Sequence, residues 1–309
     1  MGLDLKETYL ESDSSANAQI DFSSLSRGLK VPAELIRDRI MESVVFTSFF
    51  IVGWIMAINN SSFVAVNLLV VPAWFLFTVS MYILNDITDI ESDSENQLDR
   101  PLVRGSVGKK EASVVAFAFV ISGVAILASI SLISLLISVI YLSVGIAYTV
   151  PPLDLKKRWW GKPSTLGAAA LLSLIAGGTV QSFPGVVILP FAVALPIFIA
   201  LIAPIGDLRD VQGDQVAGRK NIVINLGSRR TIDVTIMGFL LLISSIMFAY
   251  VYSGFNLAIV AFGVGVSVFN VLYLARNRSA FSKGKFIKMR KMCGLSVPLV
   301  QLGIILGIL

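Results

Sequence analysis

Apolar residues in this chain fall in unbroken blocks of about 20, separated by short polar gaps, without the alternation of a half-buried strand. A helix needs about 20 mostly apolar residues to cross the roughly 30 Å hydrocarbon layer. Nine blocks meet that length, near 43–59, 64–85, 112–129, 131–150, 164–183, 186–206, 234–253, 256–275 and 293–309. Helices are expected because an open sheet edge cannot satisfy its backbone groups in lipid. The predicted fold is all-α and integral to the membrane, a bundle of nine transmembrane helices over residues 41–309. Residues 1–40 form a polar N-terminal tail whose first 30 residues are serine-rich and lack the apolar core of a cleavable signal peptide. Within it, residues 31–40 either lie at the interface as a short helix or simply lengthen the first span.

Composition supports lipid as the solvent: 55% of the 309 residues are hydrophobic and 15% charged. Cys293 is the single cysteine and histidine is absent, which excludes a disulfide framework, a multi-cysteine metal site and imidazole chemistry. A net charge of +5 would raise nucleic acid as a partner in a soluble protein. Here all 25 Lys and Arg fall in the N-terminal segment and the gaps after spans two, four, six and eight, so topology accounts for them and no nucleic acid is expected. The positive-inside rule puts these loops and the N-terminus in the cytoplasm, with the C-terminus outside. The gaps near 59–62, 130, 183–185 and 253–256 are short and uncharged. The long cytoplasmic loops are therefore where chemistry is expected.

Two acidic segments stand out there. Span two ends in Asn85, Asp86, Ile87, Thr88, Asp89, Ile90, Glu91, Ser92, Asp93, and span six in Asp207, Leu208, Arg209, Asp210, Val211, Gln212, Gly213, Asp214. Each has Asp at i, i+3 and i+7, a spacing that stacks three carboxylates on one helical face. Near hydrocarbon each charge costs roughly 2.5 to 3.5 kcal/mol, and a shared cation removes the conflict. Oxygen ligands without sulfur or imidazole suit Mg²⁺, which fills its shell with water and phosphate oxygens. One such segment alone reads as a solvated helix end. Its repetition about 120 residues later, on the same membrane face, favours a pair of clusters gripping a diphosphate through bridging metals.

Basic residues flank both clusters: Arg100 and Arg104 after the first, Arg219 and Lys220 after the second, and Lys156, Lys157 and Arg158 between them, just beyond Tyr148. Such groups neutralise phosphate oxygens that metals leave uncovered. Topology alone accounts for any single one equally well; Arg100 and Lys220, nearest the clusters, are the stronger candidates.

At these residues the chain resembles the UbiA-type intramembrane prenyltransferase superfamily. Asn85 to Asp93 follows its NDxxDxxxD pattern and Asp207 to Asp214 its DxxDxxxD pattern. The flanking RPL-x-x-G from Arg100 to Gly105, and the Tyr-then-PP-x-x-L-K segment from Tyr148 to Lys156, extend the likeness. The Arg-Pro usual ahead of the first span is missing. The resemblance implies nine helices and a Mg²⁺-dependent transfer from a polyprenyl diphosphate donor to a lipophilic acceptor within the membrane. Asn85, Asp89, Asp93, Asp207, Asp210 and Asp214 would hold the metals, and Asp86, Asp89, Asp210 and Tyr148 would take part in catalysis. Arg100, Lys156, Lys157, Arg219 and Lys220 would bind the diphosphate. An aromatic quinone precursor, a polyprenylglyceryl phosphate or a chlorophyll-type ring all fit as acceptor, and the Pro-Pro-x-x-Leu-Lys and Asp-Arg-Pro-Leu loops lean toward the last two.

Two other readings stay open: a terpene cyclase of the same fold, and an ion-coupled transporter. Transporters place their charges near the midplane, whereas these acids gather at one face. The Gly and Ala runs at 167–170, 177–178 and 263–265 read as close helix packing, and Trp159 and Trp160 as an interfacial anchor.

Overall fold

The computed structural model describes residues 26–58, 68–181, 188–216, 218–279 and 282–308. The polar tail up to residue 25, the short predicted gaps at 59–62 and 183–185 and the start of the second predicted span lie outside these residues. Among the described residues, nine long helices follow the predicted order: α1 (Arg27–Ala57), α2 (Val70–Glu95), α3 (Lys109–Ile130), α4 (Leu132–Thr149), α5 (Gly161–Gly178), α6 (Leu189–Ile202), α7 (Ile222–Tyr252), α8 (Leu257–Arg276) and α9 (Lys283–Ile308). Among the described residues, all but α5 are long and apolar enough to cross a membrane, α6 together with the turn that continues it to Leu208. The chain is an integral, multi-pass membrane protein.

α5 falls short in apolarity because Gly, Ala and Ser fill much of it. Its position gives the reason. Lipid tails are as apolar as Leu, so packing and hydrogen bonds, rather than expulsion from water, hold such helices together. α1 and α5 cross so closely that a Cβ at Gly177 would lie 1.9 Å from the Phe50 carbonyl oxygen, and one at Gly53 would lie 1.9 Å from that of Leu174. Side chains of any size would force the backbones apart. Around this crossing, Trp74 stacks on Phe50 at 5.0 Å and donates its indole N–H to Ser173 at 3.0 Å. Ser134 of α4 donates to the Ala176 carbonyl at 2.9 Å.

The helices follow one another round a ring, with α9 returning against α1. Outward-facing residues such as Val114, Phe117, Leu132 and Leu272 are exposed and apolar, as lipid contact requires. Two predicted gaps are confirmed as tight turns. Ser131 alone separates α3 from α4 and caps α4 by accepting from the Ser134 N–H. At the turn after α7, Asn256 caps α8 and ties to the Leu306 carbonyl of α9.

Boundaries differ from expectation at the charged ends. Residues 31–40 extend the first helix, so α1 runs 31 residues, about 46 Å at 1.5 Å per residue. α2 continues ten residues past the predicted end, which carries the first acidic cluster on a helix. α7 begins earlier than predicted and is broken at Gly227, whose φ of 80° no regular helix contains.

Candidate active site

α2 presents the first cluster on a buried face. Asn85, Asp89 and Asp93, at i, i+4 and i+8, line a cavity of about 390 Å³, whereas Asp86 stands outside its wall. The expected i, i+3, i+7 face of three converging carboxylates is thus rotated: Asp86 lies about 100° around the helix from Asn85. It turns instead to two arginines. Arg39 of α1 pairs with both its oxygens, its Nε at 2.7 Å, and Arg100 donates to Oδ1 at 2.5 Å and to Asp93 at 2.7 Å.

The second cluster does not sit on a regular helix. α6 tightens into a 3₁₀ segment at Ala203–Leu208, where Pro204 has no N–H to continue the α-helical ladder. Asp207 lies in that segment, Asp210 in the following turn and Asp214 in a short helix, Val211–Val216. All three line the same cavity as the first cluster. Gly213 makes the approach possible, because a Cβ there would overlap the Asn96 amide at 1.9 Å.

One guanidinium joins the two clusters. Arg219 meets Asp89 at 2.6 Å through one nitrogen and Asp214 at 3.3 Å through another, and donates to Ser92 at 3.0 Å. Lys156 donates to Asp89 at 2.7 Å, the Asn85 amide donates to Asp89 at 3.0 Å, and Lys162 pairs with Asp207. Asn221 both caps α7, accepting from the Ile224 N–H, and donates to Asp214 at 2.6 Å. Burial and the nearby Asp207 raise the Asp214 carboxyl above the usual range, against Arg219. Burial opposes the charge on Arg219, but Asp89 and Asp214 outweigh it and hold the guanidinium above its ordinary value.

Tyr148, Lys156 and Arg100 also line the cavity. Lys157 and Lys220 do not. The Lys157 side chain is 59% exposed and pairs with Asp154, and Lys220 is exposed. Their backbones meet, with the Lys220 N–H donating to the Lys157 carbonyl at 3.3 Å, so this pair joins the two loops. Four basic cavity residues escaped the sequence reading of the site: Arg39, Lys162, Arg209 and Arg290. Arg39 lies 47 positions before its partner, a register only the packing of α1 on α2 reveals, and it takes the side on which the expected Arg-Pro was missing. The others sit in basic runs without a local mark.

Away from the charged mouth the cavity is apolar, lined by Phe46, Met81, Tyr141, Val144, Leu166 and Val297 among others. Such a site can hold an anionic head at one end and a hydrocarbon chain at the other.

The model of the UbiA prenyltransferase family matches residues 45–292. This chain belongs to that family. Curated relatives include the digeranylgeranylglyceryl phosphate synthases of Methanoculleus marisnigri, 28% identical over 188 residues, and Saccharolobus solfataricus, 27% identical over 188 residues. Those alignments cover 59% of this chain and 63% and 64% of the relatives, so the chain spans slightly under two thirds of their length. Among solved structures, a UbiA homologue from Archaeoglobus fulgidus bound to GPP and Mg²⁺ has a TM-score of 0.63 at 17% identity, covering 89% of this chain and 99% of that one. A digeranylgeranylglyceryl phosphate synthase has a TM-score of 0.64 at 21% identity, covering 91% and 99%. These likenesses establish the fold, with its membrane-embedded bundle.

Proposed function

We propose that this chain is a Mg²⁺-dependent prenyltransferase that moves a polyprenyl group from its diphosphate to a lipophilic acceptor inside the membrane. One observation carries the reading: Arg219 bridges carboxylates of both clusters at the polar end of an otherwise apolar cavity. Asn85, Asp89, Asp93, Asp207, Asp210 and Asp214 offer only oxygen donors there, the set a hard cation prefers. Among the described residues no three of them close on one point, and Lys156, Lys162 and Arg209 pair with Asp89, Asp207 and Asp210. These six residues would hold the metal, whose charge, when bound, stabilises the departing diphosphate.

The chain's own groups do the rest. Lys156 and Arg219, which now neutralise Asp89, are within reach of phosphate oxygens and would turn to them as charge develops on the leaving group. Arg39 and Arg100, fixed by Asp86, flank the same mouth. The prenyl chain lies in the apolar cavity, where water is excluded and the ring faces of Tyr148 and Tyr141 can stabilise an allylic cation. Without histidine, the acceptor proton passes to a carboxylate, to released diphosphate or to water.

A polyprenylglyceryl phosphate is the acceptor class best supported, since the named relatives synthesise such a lipid. The basic helix ends favour a cytoplasmic mouth and N-terminus, with the C-terminus outside. Incubating purified protein with Mg²⁺, donors of several lengths and an acceptor panel, then identifying products by mass, tests the reading. Mg²⁺-dependent coupling is expected. Donor that survives untouched with every acceptor would sink it, and donor cyclised without acceptor would identify a terpene cyclase instead.

A further inference from the structure

The cavity is lined by eight Lys and Arg against six Asp and Glu, and one cation stands apart. Six of the eight hold a carboxylate within 3 Å, and Arg158 is exposed and lies over the Trp160 ring. Among the described residues, Arg290 of α9 has no carboxylate nearer than Glu42, at 3.8 Å, a contact Glu42 divides with Arg39 at 3.9 Å. A loosely held guanidinium facing a cavity retains most of its hydrogen-bonding capacity for a ligand.

Its surroundings form a cradle. A Cβ built on Gly206 would lie 3.7 Å from the Lys162 Nζ and 4.0 Å from the Arg290 Nε, so both cations converge over a position without a side chain. α9 then leads from this point into the bundle. Arg290, Cys293, Gly294 and Val297, at i, i+3, i+4 and i+7, form one stripe along the cavity wall, basic at its mouth and apolar for about 10 Å below. That stripe touches neither aspartate cluster through an ion pair.

We infer that Arg290, with Lys162 and the Gly206 cradle, is a second anion subsite that holds the phosphomonoester head of the acceptor while its hydrocarbon chain lies along α9. This rests on the prenyltransferase reading and narrows its acceptor to a lipid carrying its own phosphate. A planar guanidinium with its nearest carboxylate at 3.8 Å suits bidentate phosphate binding.

The test is direct binding in detergent, without turnover. The probes are a glycerol ether phosphate bearing one polyprenyl chain, the same ether without phosphate, and an aromatic carboxylate acceptor. Wild-type protein should bind the phosphate lipid well above the neutral ether. Arg290→Gln and Gly206→Ala should each weaken the phosphate lipid roughly tenfold to hundredfold, the loss of one or two charged hydrogen bonds, with little change for the neutral ether. Gly206→Ala keeps every charge and fills only the cradle. In turnover, both variants should raise the acceptor KM far more than the donor KM, and Arg290→Lys should recover part of the loss. Equal binding of the two ethers by wild-type protein, or equal weakening of both in the variants, overturns the subsite. Preference for the aromatic carboxylate overturns its phosphate specificity. Titration with a prenyl diphosphate and Mg²⁺ separates the two levels: no donor binding defeats the prenyltransferase reading, whereas donor binding without phosphate-lipid preference defeats only the subsite.

Discussion

Asp86→Asn preserves the side chain's shape and removes the charge that holds two arginines. Arg39 is the more dependent of the pair: its side chain is 8% exposed, and its nearest other carboxylates are Asp38 at 3.5 Å and Glu42 at 3.9 Å. At least two charge-assisted hydrogen bonds are lost, each about 1.5–3 kcal/mol. Breaking a buried pair by removing one partner costs about 3–5 kcal/mol. The two estimates overlap, and on the scale of soluble domains they correspond to a fall in Tm of roughly 6–20 °C. The assay is thermal unfolding in detergent across a double-mutant cycle with Arg39→Met. Because the double variant leaves no uncompensated guanidinium at position 39, it should lose less than the sum of the single losses, with a coupling above about 1.5 kcal/mol. Mg²⁺-dependent turnover should survive in Asp86→Asn with a raised donor KM, since the side chain lies outside the cavity. Additive losses, or a turnover defect as deep as that of Asp89→Asn, would refute the tethering role.

Asp89→Ala and Asp210→Ala should each reduce turnover by at least about 10²-fold with the protein still folded, measured as pyrophosphate release; near-normal rates in both would count against metal-held diphosphate. Gly177→Ala sets a methyl against the Phe50 carbonyl and should destabilise the bundle by about 1–3 kcal/mol or more, read from unfolding in detergent, with unchanged stability ruling out the tight crossing. The raised Asp214 carboxyl binds its proton more tightly when folded than when unfolded. Its contribution to stability is therefore present at low pH and lost as pH rises through its folded value, so metal-free protein should lose stability along that rise and Asp214→Asn should flatten the slope. On the proposed function Mg²⁺ would be held by two clusters that exist only in the folded state, so it should raise the Tm, and a chelator should return it to the metal-free value.

The spans and the two clusters were legible in the sequence because lipid imposes a length on every helix and the aspartates carry a repeated spacing. Side-chain direction was not. Whether Asp86 or Asn85 faces the cavity depends on a rotation of about 100° that the spacing of carboxylates alone does not fix. The second cluster kept its spacing on a different backbone, because a 3₁₀ turn also aligns residues three apart. Lys220 was preferred for its nearness to the second cluster, yet a loop junction turns it and Lys157 outward and leaves Lys156 and Arg219 in the cavity wall. Arg39 and Arg290 depended on how α1 and α9 pack beside α2 and α6, contacts that leave no local trace.

The bridging guanidinium of Arg219 also bears on the resting protein. Opposed acids in a poorly hydrated mouth would spread apart if left bare, and the helices bearing them would have to draw back together at each turnover. On the proposed function, a resident counter-ion that yields to incoming substrate and returns when the product departs would keep the mouth close to neutral throughout the cycle. The bundle can then stay rigid, and the moving parts reduce to a few long, flexible side chains.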